Sequence, residues 1–259
     1  MTMIIPIPAF RDNYIWLVQR GRNAAVVDPG DAAPVLAHLE AHGLALSAII
    51  TTHHHADHVG GVPALRERYD VPVYGPAREA IPCRSNALAE GDRFVVPGVD
   101  LALEVLDIPG HTAGHIACFT SDIAAPLVFC GDTLFAAGCG RLFEGTPEQM
   151  WSSLSKLAAL APATAVYCGH EYTIANLRFA AAVEPGNAAI GERTARETEK
   201  RERDLPTLPS TIADEHATNP FLRAGRTAVM ASAATHAGRP VSDAVDAFAT
   251  LRAWKNDFR

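Results

Sequence analysis

The chain has 259 residues, 48% hydrophobic and 20% charged, with a net charge of -7 at pH 7. That composition excludes a disordered chain, and the acidic balance argues against a broad nucleic-acid surface, which needs a basic face. No apolar run approaches the length of a membrane span, the first ten residues carry Pro6 and Pro8 and no basic stretch and so do not read as a signal peptide, and five cysteines without a C-x-x-C pair fit reduced thiols in the cytoplasm better than a disulfide framework.

In chain order, residues 3–8, 14–18 and 24–27 read as strands, the last closed by the turn Asp28-Pro29-Gly30. Residues 31–42 carry helical periodicity (Val35, Leu36, Leu39) and stop at Gly43. A strand over 44–52 delivers Thr51-Thr52-His53-His54-His55-Ala56-Asp57-His58-Val59-Gly60-Gly61, after which Pro63 opens a helix to about Tyr69. Strands follow at 71–75, 99–108, 116–120, 126–130 and 163–168, with a helix from Pro147 to about Leu160 capped by Thr146. Beyond His170 the pattern turns helical: 171–183, 187–204, a short helix opened by Pro209-Ser210-Thr211, and 242–256. The charges of 192–204 alternate in sign, which marks a solvated helix face. A boundary near residue 170 is expected, with a mixed domain over 1–170 and a helical one over 171–259.

Four histidines and a carboxylate within six positions set the chemistry, because imidazole and carboxylate are the donors for zinc and similar ions. In extended chain, residues two apart point the same way, so His53 and His55 can converge on one ion. Asp57 and His58 then remain for a second. His111, Asp132 and His170 each follow a strand-like run with glycine adjacent, the arrangement that gathers functional loops at one end of a sheet system. These seven donors exceed what one ion uses, and a carboxylate such as Asp132 can bridge two. Two ions sharing a hydroxide would give a nucleophile at neutral pH, hence hydrolysis without a protein nucleophile.

The run His53-x-His55-x-Asp57-His58 with His111, Asp132 and His170 downstream resembles the metallo-β-lactamase superfamily. That resemblance implies an α+β fold, an αββα sandwich, here with a C-terminal all-helical domain. Phe10-x-Asp12-Asn13-Tyr14, Gly131-Asp132-Thr133-Leu134-Phe135, Gly138-Cys139-Gly140-Arg141, Cys168-Gly169-His170-Glu171-Tyr172-Thr173 and Asn219-Pro220-Phe221-Leu222-Arg223 are similar to the glyoxalase II, or hydroxyacylglutathione hydrolase, family. The implied activity is hydrolysis of S-(R)-lactoylglutathione to glutathione and D-lactate by a metal-bridging hydroxide, in a cytoplasmic monomer. By the same resemblance His53, His55 and His111 hold one ion, Asp57, His58 and His170 the second, and Asp132 bridges. Zinc is the expected metal, with iron or manganese tolerated. Asp57 doubles as proton acceptor, while His54 and His115 are not ligands. Arg141, Tyr172, Arg252 and Lys255 are the implied glutathione contacts. Two positions depart from the family: Arg141 stands where lysine is common, and Phe143 where a tyrosine is.

The main rival is a glutathione persulfide dioxygenase of the same superfamily with a single iron, which shares much of the histidine pattern. A closed structural zinc site is disfavoured by the surplus of donors.

Overall fold

The computed structural model describes residues 2–122 and 125–258. It opens with β1 (Met3–Ala9), β2 (Asn13–Arg20), β3 (Asn23–Val27), α1 (Ala32–His42) and β4 (Ala45–Ile50). Next come α2 (Ala56–Val59), α3 (Val62–Arg68), β5 (Val73–Pro76), β6 (Asn86–Leu88), β7 (Arg93–Val96), β8 (Leu101–Asp107), β9 (Ile116–Thr120) and β10 (Leu127–Gly131). The hairpin β11 (Leu134–Phe135) and β12 (Gly138–Cys139) leads to α4 (Pro147–Ala158) and β13 (Ala165–Cys168). The remainder is α5 (Thr173–Val183), α6 (Ala188–Glu202), β14 (Ser210–Thr211), α7 (Ile212–Thr218), α8 (Thr227–Ala237) and α9 (Ala244–Asp257).

Two six-stranded sheets face each other, ordered β1-β2-β3-β4-β5-β6 and β14-β13-β10-β9-β8-β7. Alternation along β2 shows why. Tyr14, Trp16 and Val18 join an apolar cluster with Leu103 and Val105 of β8 and Val128 of β10, between the sheets. Ile15 and Leu17 face the other way, into a cluster with Val35 and Leu39 of α1 and Val62 and Leu65 of α3. The inter-sheet cluster continues through Leu154 of α4 to Phe179 of α5, Phe248 of α9 and Phe221 in the turn between α7 and α8. A helix layer thus covers the outside of each sheet, the αββα arrangement expected.

Three differences from the sequence reading have plain causes. Residues 56–59 form a helical turn rather than extended chain, because the His58 and Val59 N–H groups both return to the His55 carbonyl. Helix α8 was not foreseen; its run of Ala, Ser and Thr buries only Val229 and Ala233 and carries almost no periodic signal. The region after His170 is helical except for β14, whose two residues pair antiparallel with β13.

Two devices place the site loops. Thr146 and Gln149 close a reciprocal capping box at the start of α4. From that helix Ser153 donates to the Pro109 carbonyl at 2.7 Å. Gly110 lies against it with φ +148°, and a Cβ there would stand 2.8 Å from that of Met150, so only glycine fits directly before His111. The β11–β12 hairpin is held from the helices. Asn176 donates to the Ala136 carbonyl at 3.1 Å, Asn219 to the Gly138 carbonyl at 2.9 Å, and Glu215 accepts the Ala137 N–H at 2.8 Å. Buried Arg193 pairs with Glu215 at 2.8 Å and fixes that carboxylate in turn.

Candidate metal centre

Every strand that precedes a candidate donor ends at one edge of the sandwich. His53 follows β4, His111 follows β8, Asp132 follows β10 and His170 follows β13. Turn α2 adds Asp57 and His58. The donor atoms collect in two groups, His53, His55 and His111 in one and Asp57, His58 and His170 in the other, and a third set, Asp28, His53 and His58, links them; within each set the atoms lie within 4.8 Å of one another. Asp132 lies between the two groups: one oxygen is 3.4 Å from His58 Nε2, the other 3.5 Å from His111 Nε2 and 3.2 Å from His170 Nε2. The backbone permits this close approach at Gly169, where a Cβ would stand 2.6 Å from the Asp132 carboxylate.

Four of the five donor imidazoles have an oxygen at the far nitrogen, and that partner assigns the tautomer. His111 Nδ1–H donates to the Arg141 carbonyl at 2.9 Å, and His170 Nδ1–H to Asp12 at 2.8 Å. His53 Nδ1 is 3.1 Å from the Thr52 hydroxyl, which itself donates to Asp28 at 2.7 Å. His58 Nδ1 lies 3.1 Å from the same Asp28 carboxylate. All four therefore present Nε2 inward. His55 differs, turning Nδ1 toward His111 Nε2 at 3.0 Å. Asp57 is steadied by Asn13, whose side-chain amide donates to it at 3.0 Å.

His54 and His115 stand outside both groups. His54 lies against Glu79 at 3.0 Å. His115 stacks on His53 with ring centroids 4.5 Å apart, donates to the Ile116 carbonyl and accepts the Asp132 N–H at 3.1 Å.

The electrostatics favour positive charge at the centre. Burial disfavours charge on His58 and His170, yet Asp132 beside them outweighs it, raising His58 well above its ordinary value and His170 to about 10. Burial drives His53 down. For Asp132, burial alone would raise the carboxyl, but His58 and His170 hold it well below the usual range. The His170 hydrogen bond, aided by His58 and Asn13, outweighs burial and does the same for Asp57. His53 Nε2, both ring nitrogens of His58 and Asp132 Oδ1 are buried without a hydrogen-bond partner, the contact of His58 Nδ1 with Asp28 being one of charge and proximity. Unpaired buried polar atoms are costly, and of these His58 Nε2 and Asp132 Oδ1 lie 3.4 Å apart. The donor set fits divalent cations.

A cavity of about 540 Å³ opens from this centre. His55, Asp57, His111, Asp132 and His170 line its floor, and Arg141, Phe143, Tyr172, Arg252 and Lys255 line its walls. Tyr172 stacks on His170, nearly parallel at 4.7 Å. Phe143 is exposed, with its ring 5.2 Å from that of His111. Buried Arg252 donates to the Cys139 carbonyl at 2.7 Å and to Asn256 at 3.2 Å. Lys255 donates to the Ala175 carbonyl at 3.2 Å, and burial, with Arg252 and Arg141 nearby, lowers its ammonium to about 8. The structure thus gathers all twelve candidate residues except His53 and His58 on the cavity wall, those two being sealed beneath it.

Sequence reasoning missed the residues behind the donors: Asp12, Asn13, Asp28, Thr52 and Glu79. Asp12 and Asn13 stand in a motif quoted above without a role. Asp28 reads only as a turn signal, and its φ of +54° suits a turn.

The Metallo-beta-lactamase superfamily matches residues 9–170, and the Hydroxyacylglutathione hydrolase C-terminus matches residues 171–258. A hydroxyacylglutathione hydrolase of Alkalilimnicola ehrlichii is 60% identical over 258 residues, covering 99% of each chain. One from Pseudomonas aeruginosa is 56% identical over 261 residues, covering 100% of each. Among solved structures, ETHE1 from Myxococcus xanthus superposes with a TM-score of 0.65 at 26% identity, covering 98% of this chain and 99% of that one. The chain belongs to the metallo-beta-lactamase superfamily and, within it, to the hydroxyacylglutathione hydrolases.

Proposed function

We propose that this chain hydrolyses S-(R)-lactoylglutathione, and other S-2-hydroxyacylglutathione thioesters, to glutathione and D-lactate or the matching 2-hydroxy acid, the second step of methylglyoxal detoxification. The observation that carries the reading is one continuous cavity with a cation-seeking histidine and carboxylate floor and three basic side chains on its walls. Glutathione carries two carboxylates, and basic groups in a confined pocket capture them.

In this reading His53, His55 and His111 would hold one ion, Asp57, His58 and His170 the second, with Asp132 shared. Zinc suits these donors best, and iron or manganese is tolerated. When bound, the pair supplies a water acidic near neutral pH and a Lewis acid for the thioester carbonyl. The chain does the rest. Asp57 stays ionised and accepts the proton of the attacking water. As the carbon–sulfur bond breaks, that proton goes to the departing thiolate, a good leaving group that needs no strong acid. Arg141, Arg252 and Lys255 hold the glutathione carboxylates. Burial raises the Tyr172 hydroxyl, which stays protonated as a donor beside His170. Residues 1–170 would carry the chemistry and residues 171–259 substrate capture, in a cytoplasmic monomer.

The single-iron dioxygenase reading leaves one whole donor group without a task. Purified protein is expected to release free thiol from S-lactoylglutathione and to hold about two metal ions per chain. One iron, oxygen consumption with glutathione persulfide and no thioesterase activity would overturn the proposal.

A further inference from the structure

The two donor groups look alike as lists of side chains but differ in what stands behind them. In the first group, His111 donates to a peptide carbonyl, that of Arg141, and His53 meets a hydroxyl, that of Thr52. Neither oxygen carries a formal charge. In the second group, His170 is backed by the Asp12 carboxylate at 2.8 Å and His58 by the Asp28 carboxylate at 3.1 Å. This group also contains Asp57, an anion, while the first has three imidazoles only. A carboxylate on the far nitrogen makes an imidazole more basic and fixes its ring, and losing such a partner costs about 10- to 100-fold in metal affinity.

We propose that the two halves bind cations unequally: the Asp57–His58–His170 half, backed by Asp12 and Asp28, fills first and empties last, and Asp12 is the positioning residue that sets this order. The inference rests on the ligand assignment proposed above.

Asp12 and Asp28 are not equivalent. Among the described residues the Asp12 side chain hydrogen-bonds to His170 of the second group and to no residue of the first. Asp28 serves both halves. It lies directly against His58, and it accepts from the Thr52 hydroxyl, which then faces His53. It also accepts the Thr52 N–H at 2.7 Å, locking the end of β4 from which the histidines depart. Neutralising Asp12 should therefore weaken one ion, whereas neutralising Asp28 should weaken both. Asparagine is the informative replacement. At position 12 its amide oxygen can still accept from the His170 N–H, so the charge is lost while the geometry is kept; at position 28 both carboxylate oxygens face donors, so asparagine there also gives up a contact to Thr52 or His58. At position 28 it also tolerates the left-handed backbone.

The test is competitive zinc titration of the wild type, Asp12→Asn and Asp28→Asn against a chromophoric chelator, with zinc per chain measured by atomic emission. Histidine ¹⁵N spectra of the wild type at one equivalent of zinc identify the half that fills first, and depend on no variant. Expected are two unequal sites in the wild type, with the His58 and His170 resonances shifted by the first equivalent. Asp12→Asn should weaken the tighter site about 10- to 100-fold and leave the other unchanged, and Asp28→Asn should weaken both. First-equivalent shifts at His53, His55 and His111 would overturn the order, as would an Asp12→Asn titration identical to that of the wild type. A wild-type chain that binds no zinc would overturn the ligand assignment along with it.

Discussion

The floor and the walls of the cavity are built on different terms. On the floor, His111 and His170 are each tied at the far nitrogen, Asp57 is held by Asn13, and Asp132 is wedged between both donor groups. Position is fixed there by several bonds per side chain. On the walls, Arg252 and Lys255 project from a single helix, and their hydrogen bonds go to neutral oxygens of Cys139, Asn256 and Ala175. What matters there is charge near the cavity, with geometry set more loosely. The floor should therefore fail by losing turnover and the walls by losing affinity. Asp132→Ala removes the one group common to both halves, and kcat for lactoylglutathione is expected to fall by at least about 10³-fold, with metal content dropping in parallel. A variant that keeps its metal and most of its kcat would erase the distinction between floor and walls. Stripping the metal with a chelator should abolish turnover likewise, and adding zinc should restore it.

The same contrast governs what could be read in advance. Donors on the floor were legible because each needs a particular element type at a particular strand end, and glycine beside it to allow approach. The tract 53–58 announces itself by composition alone. Asp12 and Asp28 were not legible as partners of His170 and His58, since a lone aspartate in a turn has an adequate local reason to be there. The wall residues depended on resemblance, for Arg252 and Lys255 three apart on a helix describe any solvated face. Burial of Arg252 is the feature that separates it from that face, and burial is a tertiary fact. The sandwich was implied by the resemblance, and the strands read from composition were consistent with it without requiring it, while β6, β7 and α8 escaped because they are short or nearly featureless in their apolar pattern.

Arg252→Ala tests the wall most severely. Loss of a charge-assisted contact made equally in ground and transition states should raise KM about 10- to 100-fold with a much smaller change in kcat. An equal loss in kcat at constant KM would instead place Arg252 with the floor. Arg252→Lys separates charge from the fork geometry: it keeps the cation but not both bonds to Cys139 and Asn256.

Lys255 gives a smaller effect with a pH signature. Its ammonium is lowered to about 8 by burial and by Arg252 and Arg141. Below that pH the group is charged and attracts a carboxylate; above it the attraction is lost. KM is therefore expected to climb about two- to fivefold as pH rises from 7 through 9, a rise absent from Lys255→Met. A wild-type KM flat across that range would show that Lys255 makes no ionic contact with substrate.

The smallest effect belongs to Phe143, where the cavity wall meets solvent. Its ring lies 5.6 Å from His55 and 5.2 Å from His111, so it already shields the floor from one side. What it lacks is a hydroxyl. Phe143→Tyr adds one donor at an exposed position without disturbing the ring, and KM for lactoylglutathione should fall by about twofold, at the weak end for a neutral hydrogen bond. Because the added group would touch the glutathione moiety and not the acyl carbon, kcat should stay constant and the gain should be equal for different 2-hydroxyacyl groups. A change in kcat, or a gain that depends on the acyl group, would mean that Phe143 contacts the reacting end and belongs to the floor.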